Sequence, residues 1–252
     1  MKTAEFSNQV VMITGAGSGL GRQLALDFAA AGTRLILSYA STPPEKMEAL
    51  IKQVRAAGGQ AIACRADLGD SAALHQMVEQ AIAHFGQIDI LINSAGLSLD
   101  APFLSLSEAD WDRVMAVNLK GPFILSQAVG RHMVANGAGC IVNISATTAV
   151  MARAGNANYC ASKAGLNMLT QSMAIELGPD VRVNAVALGF VDSPLVRDLF
   201  SAEALEEAAQ SVPLKRMTTY EETSQFVMML ASDAAGFVTG QTIPFDGGRV
   251  MR

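Results

Sequence analysis

The sequence predicts an α/β fold, a doubly wound parallel sheet of about seven strands with helices on both faces. Short aliphatic runs alternate with longer segments of helical periodicity along the whole chain, which is the pattern of repeated βα units. The short runs are apolar almost throughout, as expected for parallel strands that are buried on both faces. A length of 252 residues suits one such unit, and no linker or low-complexity tract divides it. We therefore expect a single domain over residues 1–252.

The elements follow from these patterns in order along the chain. Aliphatic and β-branched residues define seven predicted strands: Val10–Thr14, Arg34–Tyr39, Ala61–Ala66, Ile88–Asn93, Gly139–Ser145, Val181–Leu188 and Thr242–Phe245. Apolar residues three or four apart define the predicted helices, the clearest of which are Leu20–Ala31, Glu45–Ala57, Ala72–Phe85 and Tyr159–Leu177. Because strands and helices alternate, the carboxyl ends of the strands should meet at one edge of the sheet.

Composition and charge exclude several classes of function. Half of the residues are hydrophobic and 16% are charged, so the chain can bury a large core. A net charge of −5 and the lack of any Lys/Arg cluster argue against nucleic acid or an anionic membrane surface as a partner. No apolar run approaches the roughly 18 residues of a membrane span, and residues 1–9 lack the apolar core of a signal peptide.

The cysteines and histidines predict neither a disulfide framework nor a metal site. Cys64, Cys140 and Cys160 are an odd count without CxxC spacing, which fits a reducing compartment. The three histidines are scattered and form no cluster of ligands. We therefore expect a cytoplasmic protein that binds no metal, nucleic acid or membrane.

A glycine-rich segment joins the first predicted strand to the first predicted helix. It reads Thr14-Gly15-Ala16-Gly17-Ser18-Gly19-Leu20-Gly21. Glycines there let the backbone turn tightly and approach a pyrophosphate, whose charge is stabilised by N–H groups at the helix N-terminus. A plain tight turn is the alternative, but the strand–loop–helix context favours a dinucleotide site. The predicted contacts are Gly15, Ser18, Gly19, Leu20 and Gly21.

The spacing TGxxxGxG resembles that of the short-chain dehydrogenase/reductase family, whose Rossmann domain binds a nicotinamide dinucleotide. The resemblance extends over nearly the whole chain. Among the members of the family, the chain resembles those that are like 3-oxoacyl carrier-protein reductases. It implies that Asp67 and Leu68 hold the adenine, and that Asn93-Ser94-Ala95-Gly96 is a variant of the NNAG motif, with Asn93, Ala95 and Gly96 as contacts. It further implies that Gly189, Val191 and Ser193 contact the nicotinamide, although Leu188 stands where the family usually has proline. Two C-terminal segments, Thr239-Gly240-Gln241 and Asp246-Gly247-Gly248, resemble the family's signature.

The end of the second predicted strand decides which dinucleotide is preferred. A carboxylate there would bind a ribose 2′-OH and repel a 2′-phosphate. The chain instead reads Ser38-Tyr39-Ala40-Ser41-Thr42, and the hydroxyls of Ser41 and Thr42 could donate to a phosphate. We therefore expect contacts from Tyr39 and Ser41 and a preference for NADP(H) over NAD(H). No Arg or Lys stands just after Tyr39 or in the glycine-rich loop to neutralise that phosphate.

Tyr159 and Lys163 form the predicted catalytic pair. They are four residues apart in a helical segment and so lie on one face. A phenol with a pKa of about 10 is a poor proton donor and acceptor at neutral pH, but a nearby ammonium favours the phenolate. Alone, such a pair is usually a solvated helix face. Because it matches the family's YxxxK motif, the resemblance implies that Tyr159 is the acid/base and that Lys163 tunes it and holds the nicotinamide ribose.

Asn118 is the third predicted catalytic residue. In Val117-Asn118-Leu119-Lys120-Gly121 it matches the family's asparagine that kinks a helix and anchors a proton-relay water. A purely structural kink residue is the alternative.

The chain departs from the family at the fourth catalytic position. The family has a serine 13 residues before the tyrosine, where this chain has Ala146. Two hydroxyls could replace it at the substrate oxygen. Strand alternation would place Thr148 on the same face as Ala146, which we favour, whereas Ser145 would require a local bulge. Weakened or lost carbonyl chemistry is the remaining interpretation.

The resemblance implies that residues 190–214 form a substrate lid. Its apolar residues, with Met151 expected nearby, predict an apolar pocket; they are Phe190, Leu195, Val196, Leu199 and Phe200. Arg153 could meet a substrate carboxylate, but a surface arginine is the favoured interpretation. Residues 135–138 and 178–180 lack the basic side chains that carrier-protein reductases of the family tend to present, so docking of an acidic carrier is disfavoured.

Three functional hypotheses follow. The leading one is an NADP(H)-dependent carbonyl reductase or alcohol dehydrogenase that acts on a free ketone, aldehyde or secondary alcohol. The others are a dinucleotide-binding regulatory protein with weakened catalysis, motivated by Ala146, and a 3-oxoacyl carrier-protein reductase. The resemblance also implies a homotetramer, built through the helices around Asn118 and Tyr159 and the C-terminal strand.

Overall fold

Seven parallel strands form one sheet in the order β3-β2-β1-β4-β5-β6-β7. The computed structural model describes residues 6–193, 197 and 201–251. The strands are β1 (Val10–Ile13), β2 (Arg34–Tyr39), β3 (Gln60–Arg65), β4 (Ile90–Asn93), β5 (Gly139–Ala146), β6 (Val181–Leu188) and β7 (Thr242–Phe245). The predicted fold class is confirmed, and strand ends differ from the predicted ones by at most two residues.

The described part of the chain contains eight α-helices. They are α1 (Gly19–Ala30), α2 (Pro44–Ala56), α3 (Ser71–Phe85), α4 (Glu108–Met115), α5 (Gly121–Asn136), α6 (Ala157–Leu177), α7 (Ala202–Gln210) and α8 (Tyr220–Ala231). A π-helical turn, Ala116–Lys120, joins α4 to α5. The start of α8 is fixed by a capping box, in which the side chains of Thr219 and Glu222 bond to each other's backbone N–H.

Successive residues of β1 face two separate apolar cores. Val11 and Ile13 pack in a core that includes Phe28 of α1, whereas Val10 and Met12 pack in a second core with α3 and α5. All four are fully buried. The near-continuous apolar runs of the sequence therefore reflect helices on both faces of the sheet.

The strand order places a topological switch point between β1 and β4. From β1 the chain builds outward to β2 and β3, then returns to the other side of β1 to form β4. The loops after β1 and β4 consequently diverge at the carboxyl edge of the sheet, where folds of this class bind ligands. Among the described residues, no helix is long and apolar enough to cross a membrane.

Candidate active site

The glycine-rich loop after β1 is fastened to the loop after β4. Thr14 Oγ1 accepts hydrogen bonds of 3.0 Å from the backbone N–H groups of Ser94 and Ala95. Gly15 has a φ of +69°, and a Cβ built on it would lie 3.0 Å from Ala95 Cα. Both the left-handed backbone and the close approach require glycine at this position.

Helix α1 begins directly at this loop, and its first turn suits an anion. A Cβ at Gly21 would overlap the carbonyl of Gly15, so the helix packs tightly on the loop. Ser18 precedes the helix without capping it through its side chain, and Gly19, Leu20 and Gly21 supply no acidic group. The predicted contacts of the loop are thus brought together around a helix N-terminus, and these residues fit a dinucleotide pyrophosphate.

Asp67 lies just beyond β3, where the resemblance places the adenine. Its carboxylate accepts from the Gly69 N–H at 2.7 Å and forms an ion pair of 2.8 Å with Arg113. The Arg113 hydrogen bond, with the Gly69 bond second, lowers the pKa of Asp67. The side chain of the neighbouring Leu68 packs in the core beside Gly121, so only the backbone of Leu68 is left for a cofactor contact.

The side chain of Asn93 is used inside the fold. Its Nδ2 donates to Asn143 Oδ1 at 2.8 Å and to Ser126 Oγ at 3.2 Å. Asn143 in turn donates to Thr170 Oγ1 of α6 at 2.8 Å. This buried amide network joins β4 and β5 to α6, a structural role that the motif alone did not reveal.

Asn118 lies in the π-helical turn and is completely buried. Its Oδ1 accepts from Leu97 N at 2.8 Å, and its Nδ2 donates to Leu97 O at 2.8 Å and to Ser162 Oγ at 3.1 Å. Both Nδ2 hydrogens are therefore occupied. A π-helical turn interrupts the helical path at this residue, and the Asn118 side chain holds the loop after β4 against α6.

Lys163 lies beneath Tyr159 on α6, and a Cβ at Gly96 would come within 3.6 Å of its Nζ and 3.7 Å of Asn118 Oδ1. The side chain of Lys163 is buried, and Nζ donates to the carbonyl of Ile144 at 2.7 Å. Nζ also lies 5.6 Å from the centroid of the Tyr159 ring. Tyr159, Lys163, Asn118 and Gly96, which are scattered in sequence, thus form one cluster at the carboxyl edge of the sheet.

Burial, rather than the lysine, dominates the titration of this pair. Loss of hydration lowers the pKa of Lys163 to about 8 and raises the pKa of Tyr159 to about 12. The positive charge of Arg153 opposes the rise for Tyr159, whereas Asp100 adds to it. The expectation that Lys163 brings the tyrosine pKa down toward neutrality is therefore wrong for this structure.

The two hydroxyls that could replace the serine missing at Ala146, those of Ser145 and Thr148, differ in their hydrogen bonding. β5 pairs with β6 in unbroken register through Ser145 and Ala146, so the described strand has no bulge to turn Ser145 inward. Ser145 Oγ instead donates to Asn167 at 2.5 Å, and we do not retain it as a substrate contact. Thr148 lies in a 3₁₀ turn, Thr147–Ala149, so strand alternation does not extend to it. Its Oγ1 is nevertheless buried and has no hydrogen-bond partner among the described residues.

A polar network that the sequence did not predict surrounds the start of α6. Asp100 accepts hydrogen bonds from Ser98 Oγ (2.5 Å), Arg153 (2.5 Å) and Asn156 Nδ2 (2.6 Å). Arg153 is exposed, in agreement with the surface interpretation, and it is paired with Asp100. Asn158 donates to Leu99 O at 2.9 Å and accepts from the Tyr159 N–H at 2.7 Å. These bonds join the loop after β4 to the helix turn that carries Tyr159.

The segment after β6 packs on the segment after β7. Gly189 N donates to Phe245 O at 3.2 Å, and a Cβ at Gly189 would lie 2.8 Å from Asp246 Cα. Val191 forms a bridge with Thr218, and Ser193 is buried. Of the predicted lid, Leu195, Val196, Leu199 and Phe200 lie outside the described residues. A cavity of about 320 Å³ beside Phe190 is mostly apolar, and Tyr159 and Lys163 do not line it.

Comparison with known proteins identifies the family. The protein-family profile described as Enoyl-(Acyl carrier protein) reductase matches residues 15–249. The chain is 38% identical to a 3-oxoacyl-(acyl-carrier-protein) reductase FabG of Thermotoga maritima, over 96% of this chain and 98% of that protein. It is 40% identical to the BbsD subunit of a hydroxy(phenyl)methylsuccinyl-CoA dehydrogenase of Thauera aromatica, over 97% of each chain. A mutant short-chain dehydrogenase/reductase of Serratia marcescens superposes with a TM-score of 0.91 at 36% identity, covering 97% of this chain and 99% of that one.

The fold, the glycine-rich loop and these relatives define an NAD(P)-dependent oxidoreductase that acts on C=O and CH–OH groups. The chain belongs to the short-chain dehydrogenase/reductase family.

Proposed function

We propose that the protein is an NADP(H)-dependent carbonyl reductase or secondary-alcohol dehydrogenase with Tyr159 as its acid/base. The observation that carries this proposal is the cluster of Tyr159, Lys163 and Asn118 next to Gly96, at the switch point where the glycine-rich loop begins. A general acid or base must lie within reach of the reacting oxygen, and this edge of the sheet is where a substrate and a dinucleotide would meet.

The side chains divide the chemistry between them. A bound nicotinamide dinucleotide supplies or accepts the hydride. Tyr159, with its pKa raised to about 12, holds its proton at neutral pH and passes it to the carbonyl oxygen during reduction. Lys163 has a pKa of about 8, so its ammonium predominates below that pH and stabilises the phenolate that this transfer leaves. One of its three N–H donors is held by Ile144, and the others remain for the nicotinamide ribose.

Thr148 is proposed to replace the missing serine hydroxyl at the substrate oxygen. A buried hydroxyl without a hydrogen bond is costly, and Thr148 Oγ1 is such a group. A substrate oxygen would satisfy it. Asn118 is proposed as a positioning residue, because its amide bonds fix the loop after β4 rather than pointing to the reacting atoms.

The preference for NADP(H) is supported by the end of β2. No carboxylate stands at residues 39–42, and Ser41 and Thr42, which carry hydroxyls, lie two and three residues beyond the end of the strand. An acidic side chain there would repel a 2′-phosphate.

A test of the proposed function begins with fluorescence titration of the protein with NADPH and NADH. Turnover of a panel of ketones, aldehydes and secondary alcohols is then measured with the parent and with Tyr159→Phe. We expect binding by both proteins and turnover by the parent alone, reduced roughly a hundredfold or more in the variant. Binding without turnover in either protein would refute the catalytic proposal and favour the regulatory one.

Reduction of a 3-oxoacyl thioester is the second candidate for the substrate. The relatives favour it, since one is a 3-oxoacyl-(acyl-carrier-protein) reductase and another is a subunit of a hydroxy(phenyl)methylsuccinyl-CoA dehydrogenase. The sequence lacks the basic residues expected for carrier docking, as described above. The two candidate substrate classes are distinguished by the rates at which the protein reduces acetoacetyl-CoA, acetoacetyl carrier protein and ethyl acetoacetate at equal concentration. A preference for the free ester supports the leading proposal, and a carrier preference of tenfold or more refutes it.

We also propose a homotetramer in the cytoplasm. Large apolar side chains are exposed on the helices around Asn118 and Tyr159, among them Trp111, Phe123, Met168 and Ile175. Patches of this kind mark contacts between subunits. The free cysteines Cys64, Cys140 and Cys160 fit a reducing compartment. Sedimentation equilibrium at micromolar concentration tests the tetramer, which a monomeric mass would refute.

A further inference from the structure

A basic side chain reaches the end of β2 from the neighbouring strand. Arg65 is the last residue of β3 and pairs in register with Tyr39, the last residue of β2. Its Nε donates a hydrogen bond of 3.2 Å to the carbonyl of Ala40. The guanidinium is thereby held at the point where the chain leaves β2 toward Ser41 and Thr42.

Within the described part of the chain, Nε is the one nitrogen of this guanidinium with a hydrogen-bond acceptor. Arg65 is exposed, and no described residue accepts a hydrogen bond from its Nη1 or Nη2. The terminal N–H groups of arginine form a planar fork that matches two oxygens of a phosphate. A guanidinium that is already anchored through Nε loses less freedom when it binds an anion through the other two nitrogens.

No carboxylate among the described residues forms an ion pair with Arg65. Glu45 and Lys46, in the first turn of α2, are exposed and carry opposite charges that largely cancel. Asp67, two residues further along the chain, forms an ion pair with Arg113. The anionic group nearest in sequence is therefore already neutralised by another arginine, which leaves the charge of Arg65 available.

The turn that Arg65 anchors also contacts the glycine-rich loop. A Cβ built on Gly17 would overlap the Oγ1 of Thr42, so the Thr42 side chain fills the space over that glycine. Ala16 N also donates to Ser38 O at 2.9 Å. The end of β2 and the pyrophosphate loop are thus adjacent, as one dinucleotide spanning both would require.

We propose that Arg65, with Ser41 and Thr42, forms the subsite for the 2′-phosphate of the adenosine ribose and determines the choice of cofactor. This inference rests on the proposed function, since it requires a dinucleotide bound along the glycine-rich loop. No cation directly follows Tyr39 in the sequence. Arg65 is 26 residues away, and the β2–β3 register brings it close.

The test separates recognition of the phosphate from recognition of the nucleoside. Isothermal titration calorimetry with 2′,5′-ADP and with 5′-AMP, and fluorescence titration with NADPH and NADH, are carried out on the parent and three variants. Arg65→Gln removes the charge, and Arg65→Lys keeps it but loses the fork. Arg55→Gln is the control: it makes the same charge change on α2, beside Gln60 at the opposite end of β3.

We expect Arg65→Gln to weaken binding of 2′,5′-ADP and NADPH roughly tenfold to a hundredfold. Binding of 5′-AMP and NADH should stay within about twofold of the parent, Arg65→Lys should be intermediate, and Arg55→Gln should match the parent. Because Arg65 is exposed, the thermal midpoint of every variant should equal that of the parent.

Three results would overturn the inference, and they are distinguishable. Unchanged NADPH binding by Arg65→Gln, or equal losses for NADPH and NADH, would remove Arg65 from the subsite while leaving the proposed function intact. Tighter binding of NADH than of NADPH by the parent would refute the 2′-phosphate subsite but not the oxidoreductase. Failure of the parent to bind either dinucleotide would refute the proposed function and this inference together.

Discussion

Lys163 Nζ donates a 2.7 Å hydrogen bond to the carbonyl of Ile144 while lying 5.6 Å from the ring centroid of Tyr159. The end of β5 therefore fixes the position of the ammonium under the phenol. The same burial that fixes it lowers the pKa of Lys163 to about 8. Lys163 therefore loses its positive charge at mildly alkaline pH, and the stabilisation that this charge would give the Tyr159 phenolate is lost with it.

The first prediction concerns stability against pH. The folded pKa of Lys163, about 8, lies below its ordinary value of 10.5. Between these values the unfolded chain binds more protons than the folded one, so this group makes stability rise with pH. Relative to Lys163→Met, the parent should gain about 2 kcal/mol in free energy of unfolding between pH 8 and pH 10.

The comparison with Lys163→Met isolates the lysine. Burial also raises the pKa of Cys140 to about 11 and of Tyr159 to about 12, and both groups lower stability at higher pH. The effect of Cys140 is common to parent and variant and cancels in the difference, and the effect of Tyr159, whose pKa in the unfolded chain is about 10, stays small below that pH. Urea unfolding at several pH values measures it, and parallel curves for the two proteins would contradict the lowered pKa.

The second prediction concerns the charges beside Tyr159. Arg153 lowers the pKa of Tyr159 and Asp100 raises it, and the two are paired at 2.5 Å. Arg153→Gln should therefore shift the phenol titration to higher pH, and Asp100→Asn should shift it to lower pH. Ultraviolet difference spectra of phenolate formation, corrected with Tyr159→Phe, report this group. Shifts in the same direction for both variants would mean that they act through loop structure rather than charge.

The third prediction concerns Thr148. Thr148→Val removes a buried hydroxyl without a partner, so the thermal midpoint should stay equal or rise. If the hydroxyl binds the substrate oxygen, kcat should nevertheless fall roughly tenfold to a hundredfold. Adding Ala146→Ser should restore much of the loss, because it returns a hydroxyl to the family's usual position. Full activity in Thr148→Val with dinucleotide binding unchanged would exclude Thr148 as the donor.

What the sequence predicts here depends on how far apart the interacting residues lie. The strands and the loop at Gly15 are encoded by periodicity and local spacing, and the structure reproduces them. The bond between Asn93 and Asn143 and the bonds from Arg153 and Asn156 to Asp100 join residues 50 to 56 apart, which no local pattern encodes. The pKa of Tyr159 also depends on burial, which a four-residue spacing does not reveal.

Thr148 shows the same limit at shorter range. Strand alternation is a sound rule only while the strand lasts, and β5 ends at Ala146. The 3₁₀ turn that follows changes the direction of each side chain. The residue remains a candidate because of its unpartnered hydroxyl, which only the structure reveals.

The last prediction concerns the close approach at Gly15. Gly15 and Gly137 have nearly the same backbone, with φ of +69° and +72°, but a Cβ at Gly137 would meet no atom within 4 Å. The free energy of unfolding of Gly137→Ala should therefore fall only by the left-handed backbone penalty, about 1 to 2 kcal/mol. Gly15→Ala carries the same penalty and also presses on Ala95, whose Cα would be 3.0 Å away.

We expect Gly15→Ala to be the less stable variant and to separate the loop after β1 from the loop after β4, which Thr14 joins to Ser94 and Ala95. Its affinity for NADPH should fall, whereas Gly137→Ala, at the C-terminus of α5, should bind like the parent. Urea unfolding and fluorescence titration of the two variants measure both effects. Equal destabilisation with normal NADPH binding in both would show that the contact with Ala95 does not shape the pyrophosphate site.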